Sequence, residues 1–150
     1  MSVPQDHQNT TAAPRSSSYY ASLKLSIAET INADPHPDCG GSEMKVFMDY
    51  ARFMGSQNPH PFRTMSALVG STGLSETTIT KARNVLVSLG YMIERGMSEG
   101  VKKYELSNPP NAVARSKKSA TARSREFQSR KTAKTKMRKE MKAAKADPLP

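Results

Sequence analysis

Between Thr64 and Leu89 two helical patterns are separated by a short turn that holds Ser71-Thr72-Gly73, and this spacing leaves the chain few ways to fold. Helices joined by so short a turn must cross steeply, and the turn needs a residue that takes positive φ, which Gly73 supplies. The pattern predicts helices over 65–70 and 76–89, the second capped by Ser75. Leu68, Leu74, Ile79 and Ala82 become the buried contacts that fix the crossing, and Leu86 and Leu89 extend the inner stripe of the second helix. Left on its outer face are Ser75, Glu76, Thr77, Thr80, Lys81 and Asn84. Small hydroxyls, an amide and one cation suit base edges and phosphates alike.

Other elements frame this pair. Ser42 is a plausible N-cap for a helix over 42–54, with Met44, Phe47, Met48, Ala51 and Met54 as its apolar stripe and Gly55 at its end. Tyr20, Leu23, Ile27 and Ile31 recur at steps of three and four up to Asp34-Pro35, which predicts a helix over 18–33; the sub-run 19–27 also fits a strand. Phe62–Thr64 could add a short strand. Tyr91 and Ile93 on one side of Ser98-Glu99-Gly100, and Tyr104 and Leu106 on the other, alternate at period two and describe a hairpin. Residues 1–16 have almost nothing to bury and are expected to be disordered. The organisation is then a disordered 1–16, a helix and loop over 17–41, a domain over 42–111 and a tail over 112–150. The fold class is mainly α with a small β-hairpin, an α+β domain.

Charge divides the chain at the same boundary. Residues 1–111 hold 10 basic and 10 acidic side chains, whereas residues 112–150 hold 13 basic and 3 acidic. The whole positive excess therefore lies in the tail, where Arg115, Lys117, Lys118, Arg123, Arg125, Arg130, Lys131, Lys134, Lys136, Arg138 and Lys139 are candidate phosphate contacts. A polyanionic partner is expected, and nucleic acid is favoured over an anionic membrane because Phe127 is the tail's one aromatic residue. Phe127, Met137 and Met141 make too thin a stripe for the tail to fold alone, so disorder, or helix on binding, is expected.

These residues together support a family resemblance. Leu68-Val69, Gly73-Leu74-Ser75, Thr78-Ile79, Leu86, Leu89-Gly90-Tyr91-Met92-Ile93, Lys103-Tyr104-Glu105-Leu106 and Asn108-Pro109-Pro110 make residues 44–110 resemble the winged helix-turn-helix domain of phage and plasmid replication proteins and of small bacterial regulators. Val69 stands where that family usually has a small residue, and Glu76 where it often has Arg or Lys. The resemblance implies a recognition helix at 76–89, a wing at 91–106 whose Arg95, Lys102 and Lys103 would meet DNA, and double-stranded DNA as partner. The role implied is transcriptional regulation or assistance in replication.

The alternative is a protein-interaction winged helix whose basic tail alone touches nucleic acid, non-specifically. The helix over 18–33 can pack on the domain as an extra core layer or form a homodimer interface. His36 and Cys39, with Asp34 and Asp38 nearby, invite a metal reading, but tetrahedral zinc wants four ligands and no second cysteine exists. No ordered base is evident for Cys39 as a nucleophile, and no phosphate loop or hydrolase triad stands out. The expectation is a protein that is not an enzyme, with no metal, cofactor or small-molecule substrate. The N-terminus lacks a basic region followed by an apolar run, so no secretory signal is expected and a bacterial cytoplasmic, nucleoid-associated location is.

Overall fold

A computed structural model describes residues 15–146. Five helices and one antiparallel hairpin follow in the order α1 (Ser17–Ala33), α2 (Gly41–Phe53), α3 (Met65–Thr72), α4 (Glu76–Ser88), β1 (Met92–Ser98), β2 (Val101–Leu106) and α5 (Pro110–Ala146), a mainly helical α+β chain. No helix among the described residues is long and apolar enough to cross a membrane. The disorder expected for 1–16 concerns residues that, but for Arg15 and Ser16, lie outside those described.

The strand option for 19–27 is excluded: the segment is helical, with the Ser16 hydroxyl accepting from the Tyr19 N–H at 3.2 Å. Helical spacing brings Ile27 and Ile31 together into the core, where both are buried, with Tyr20 and Leu23 partly buried beside them. Ile27 and Ile31 of this stripe thus belong to the chain's own core. In α2 the start moves forward from Ser42. Gly40 is the N-cap, and its N–H donates to the Glu43 carboxylate at 2.8 Å, which also sets an acid in the first turn. The inner stripe is rotated as well. Val46, Phe47, Tyr50, Ala51 and Met54 are buried, while Met48 is 47% exposed. The centre of that arc falls between Phe47 and Tyr50, because α2 packs against both α1 and α4 and needs a broader buried face than one line of methionines.

Gly73 sits at φ +73° directly after α3, in the left-handed region its position in the turn predicted. Ser75 caps α4, accepting from the Thr78 N–H at 3.2 Å. At the other end of α4 the Gly90 N–H reaches the Val87 carbonyl and the Tyr91 N–H the Leu86 carbonyl, a Schellman closure made possible by Gly90 at φ +89°. Ile79, Ala82 and Leu86 are buried as expected, as is Leu68, with Leu74 and Leu89 partly so.

The hairpin pairs Met92 with Leu106 and Glu94 with Tyr104, and a bulge falls between Glu94 and Met97. Glu99 and Gly100 both have positive φ, the two-residue geometry that matches strand twist. Its inner residues are Tyr91, Met92, Tyr104 and Leu106 rather than Ile93, since Tyr91 precedes the strand and the alternation begins one residue later. The short strand expected near Phe62 is reduced to one bridge with Lys103 and a bond from the Tyr104 N–H to the Pro61 carbonyl.

The largest departure is the tail. Residues 110–146 are one helix, not a disordered segment. Apolar burial explains little of its docking, since Ala112 is its one buried apolar residue. Polar satisfaction explains it. The last carbonyls of α1 have no partner within that helix. Ser116 Oγ donates to the Thr30 carbonyl at 2.8 Å and Arg123 donates to the Ala33 carbonyl at 2.8 Å. Positive charge at the end of α1 also complements its dipole.

Candidate nucleic-acid interface

All six predicted residues are exposed; Glu76, Thr77, Thr80, Lys81 and Asn84 share one side of α4, whereas Ser75 stands before the helix as its N-cap. An open hollow runs along this side and continues through Val85 and Ser88. Ser88 was missed by sequence reasoning, although its position one turn beyond Asn84 and two beyond Lys81 was the available signal. Of the six, Ser75 is already engaged: its hydroxyl caps the helix and lies 2.9 Å from Thr78 Oγ1. Thr77, Thr80, Lys81 and Asn84 remain free of side-chain partners among the described residues. Glu76 suits the positive end of the α4 dipole but sets a negative charge where a phosphate would approach.

The hairpin is less free than its cation content suggested. Arg95 pairs with Glu105 at 2.6 Å and Lys102 with Glu94 at 3.3 Å. Lys103 is half-buried, and its backbone forms the bridge to Phe62, with no ion pair to its ammonium among the described residues. These cross-strand acids come from the hairpin register, which composition does not reveal.

A second basic groove lies between α2 and α3, where Lys45 and Arg52 flank Ser71 and Thr72. Asp49 beneath it is buried, paired with Arg63 at 2.7 Å, and accepts a hydrogen bond from the Ser71 hydroxyl. Arg63 also stacks 4.0 Å over the Phe53 ring. Sequence reasoning did not single out Lys45 or Arg52, since neither belongs to the two-helix motif.

Arg115 must be removed from the free cations of the tail. Its guanidinium grips the Asp34 carboxylate with two bonds of 2.7 Å, and the Tyr91 hydroxyl donates to the same carboxylate at 2.6 Å. The His36 N–H adds a fourth bond at 3.0 Å. Burial pushes the Asp34 carboxyl up, but the bonds from Arg115, Tyr91 and His36 together outweigh it and hold its pKa down to about 2. Burial and the bond to Asp34 conversely push the Tyr91 hydroxyl up. One buried carboxylate therefore ties α1, the start of the hairpin and α5 together. Arg123 is partly engaged at the α1 terminus, and Arg130 pairs with Glu126. Lys117, Lys118, Arg125, Lys131, Lys134, Lys136, Arg138 and Lys139 are exposed along α5.

The loop holding His36 and Cys39 is organised around Asp34. His36 Nδ1 accepts from the Asp38 N–H at 3.1 Å, and the Cys39 thiol points to the Ile31 carbonyl. Burial, with Asp34 and Glu43 nearby, pushes the thiol up to about 11, so it stays protonated at neutral pH and is a poor nucleophile or ligand. Among the described residues no three His, Cys, Asp or Glu side chains converge on a common point.

Comparison with known proteins finds no family model, no curated protein and no solved structure that matches this chain.

Proposed function

We propose that residues 44–110 form a winged helix-turn-helix that binds double-stranded DNA, with the outer face of α4 in the major groove and the cations of α5 on phosphates. The observation that carries this reading is the α4 face itself. Thr77, Thr80, Lys81 and Asn84 are exposed, unpaired and aligned on a helix fixed by a tight left-handed turn before it and a closed terminus after it. Asn84 offers the amide pair that matches adenine, whereas Lys81 is suited to a phosphate. The class of role this supports is a regulator of transcription or an accessory factor in replication, and no catalytic step is invoked.

The experiment is selection of bound duplexes from a random library with the full chain at raised salt, followed by titration of variants. Asn84→Ala is expected to weaken binding to the selected site by about 1–3 kcal/mol while barely changing binding to scrambled DNA, and Lys81→Ala to weaken both alike. Equal losses on both duplexes for Asn84→Ala would remove it as a base reader.

A second reading is favoured by the pairing of Arg95 and Lys102 with hairpin acids and by Glu76 at the head of α4. The domain would then recruit a protein, and α5 alone would touch nucleic acid. Recovery of no motif from the library, with binding retained, selects this reading.

A further inference from the structure

Beyond Arg123 the rest of α5 projects from the domain, every residue of 124–145 being exposed. At 1.5 Å per residue this arm is about 33 Å long. Successive side chains turn by about 100°, which sorts the arm into two sides. One continues the docked line of Ala112, Ser116 and Arg123 through Phe127, Arg130, Lys134, Met137, Met141 and Lys145. It holds the exposed apolar residues of the arm, with Phe127 and Met137 each 62% exposed. Glu126 turns toward this side and pairs with Arg130.

The opposite side differs in chemistry. Arg125, Gln128, Thr132, Lys136 and Lys139 follow one another at steps of three and four, with Lys131 and Thr135 on the flank. An open groove runs along Gln128, Lys131, Thr132, Thr135, Lys136 and Lys139. This seam has no large apolar side chain, and Glu140 stands only at its margin.

We propose that this seam binds the phosphate backbone of duplex DNA as a preformed helix, so that Arg125, Lys136 and Lys139 are registered phosphate contacts and the cations of the other side are not. The proposal rests on the DNA-binding reading and deepens it, from a basic tail to one face of a helical arm. Phosphate oxygens only accept, and the seam offers cations interleaved with the Gln128 amide and the Thr132 hydroxyl as donors, the Thr135 hydroxyl being bonded to the Lys131 carbonyl. Lipid insertion needs large apolar side chains, and these are on the other side. A helix already formed also avoids much of the ordering cost that a disordered tail meets on binding.

Two triple variants of the full chain remove the same charge from opposite sides: Arg125→Gln with Lys136→Gln and Lys139→Gln, and Arg130→Gln with Lys134→Gln and Lys145→Gln. Glutamine keeps helix propensity, and the arm has no core packing to lose. Each is titrated against a scrambled duplex over a salt series, with circular dichroism to confirm equal helicity. The first triple is expected to reduce the slope of log affinity against log salt by about 2.7, and the second by less than about 1. Equal reductions, or a larger one for the second triple, would overturn the proposal while leaving DNA binding in place. A seam triple that binds duplex normally but loses binding to phosphatidylserine vesicles would overturn it in favour of a membrane. Because the duplex is scrambled and α4 is untouched, base reading by Asn84 stands or falls separately.

Discussion

The two segments of α5 share a basic, polar character and stand in opposite circumstances. Residues 110–123 and 124–146 are both rich in Ala, Ser, Thr, Lys and Arg, yet the first segment is fastened to α1 and Asp34 while residues 124–145 of the second are all exposed. What separates them is not apolar content but position. Arg115, Ser116 and Arg123 fall where a buried carboxylate and the loose carbonyls of α1 await donors. A guanidinium that would be a solvated cation farther along the helix here becomes the partner of a buried carboxylate.

The sharpest way to break this contrast is to mutate one arginine in each half. Arg115→Ala leaves the Asp34 carboxylate buried with the Tyr91 hydroxyl and the His36 N–H alone, and is expected to destabilise the fold by about 3 kcal/mol in chemical denaturation. Arg125→Ala is expected to stay within about 0.5 kcal/mol of the parent chain. Similar values for both would mean that the docked half is held no more firmly than the free one.

Acid titration probes the same junction from the carboxylate side. The Asp34 pKa is depressed from the usual 3.8 to about 2 in the folded chain, so folding favours its ionised form. The resulting stability, about 2 kcal/mol, is fully present above about pH 4 and is lost as the pH falls through about 2. Asp34→Asn should remove that acid-sensitive component and lower stability at neutral pH, as followed by thermal melting across the acid range. An unchanged acid limb would place the depressed group elsewhere.

The smallest effect on stability is expected from deleting residues 125–150. Among the described residues, every bond that fastens α5 to the domain precedes that cut, so the melting transition should move by less than about 0.5 kcal/mol equivalent. The salt slope of DNA binding should nevertheless become several powers shallower, at about 0.9 for each phosphate that the shortened chain no longer neutralises. Failure of the shortened chain to fold would show instead that the arm contributes to the domain.

Much of the fold was legible because local rules set it. Gly73 announced the turn between α3 and α4, Ser75 announced the cap, and Ile79, Ala82 and Leu86 announced the inner face of α4. The same periodicity placed Thr77, Thr80, Lys81 and Asn84 on the outer face, and the structure leaves them there. Errors arose where a residue's neighbours come from elsewhere in the chain. Met48 follows the helical repeat as well as Phe47 does, but α2 is rotated by its packing on α1 and α4. Arg95 and Lys102 read as free cations until the hairpin register set Glu105 and Glu94 across from them.

By itself, then, the sequence determined the helices from α2 to α4, the turn that crosses α3 and α4, the hairpin and the segregation of charge, since each depends on residues near one another in the chain. Only the tertiary structure decided that α5 is anchored and which of its cations remain free. That outcome depends on Asp34 meeting Arg115 at 81 residues' separation and Tyr91 at 57. No periodicity or composition records such a meeting, because it exists only once the helices have packed.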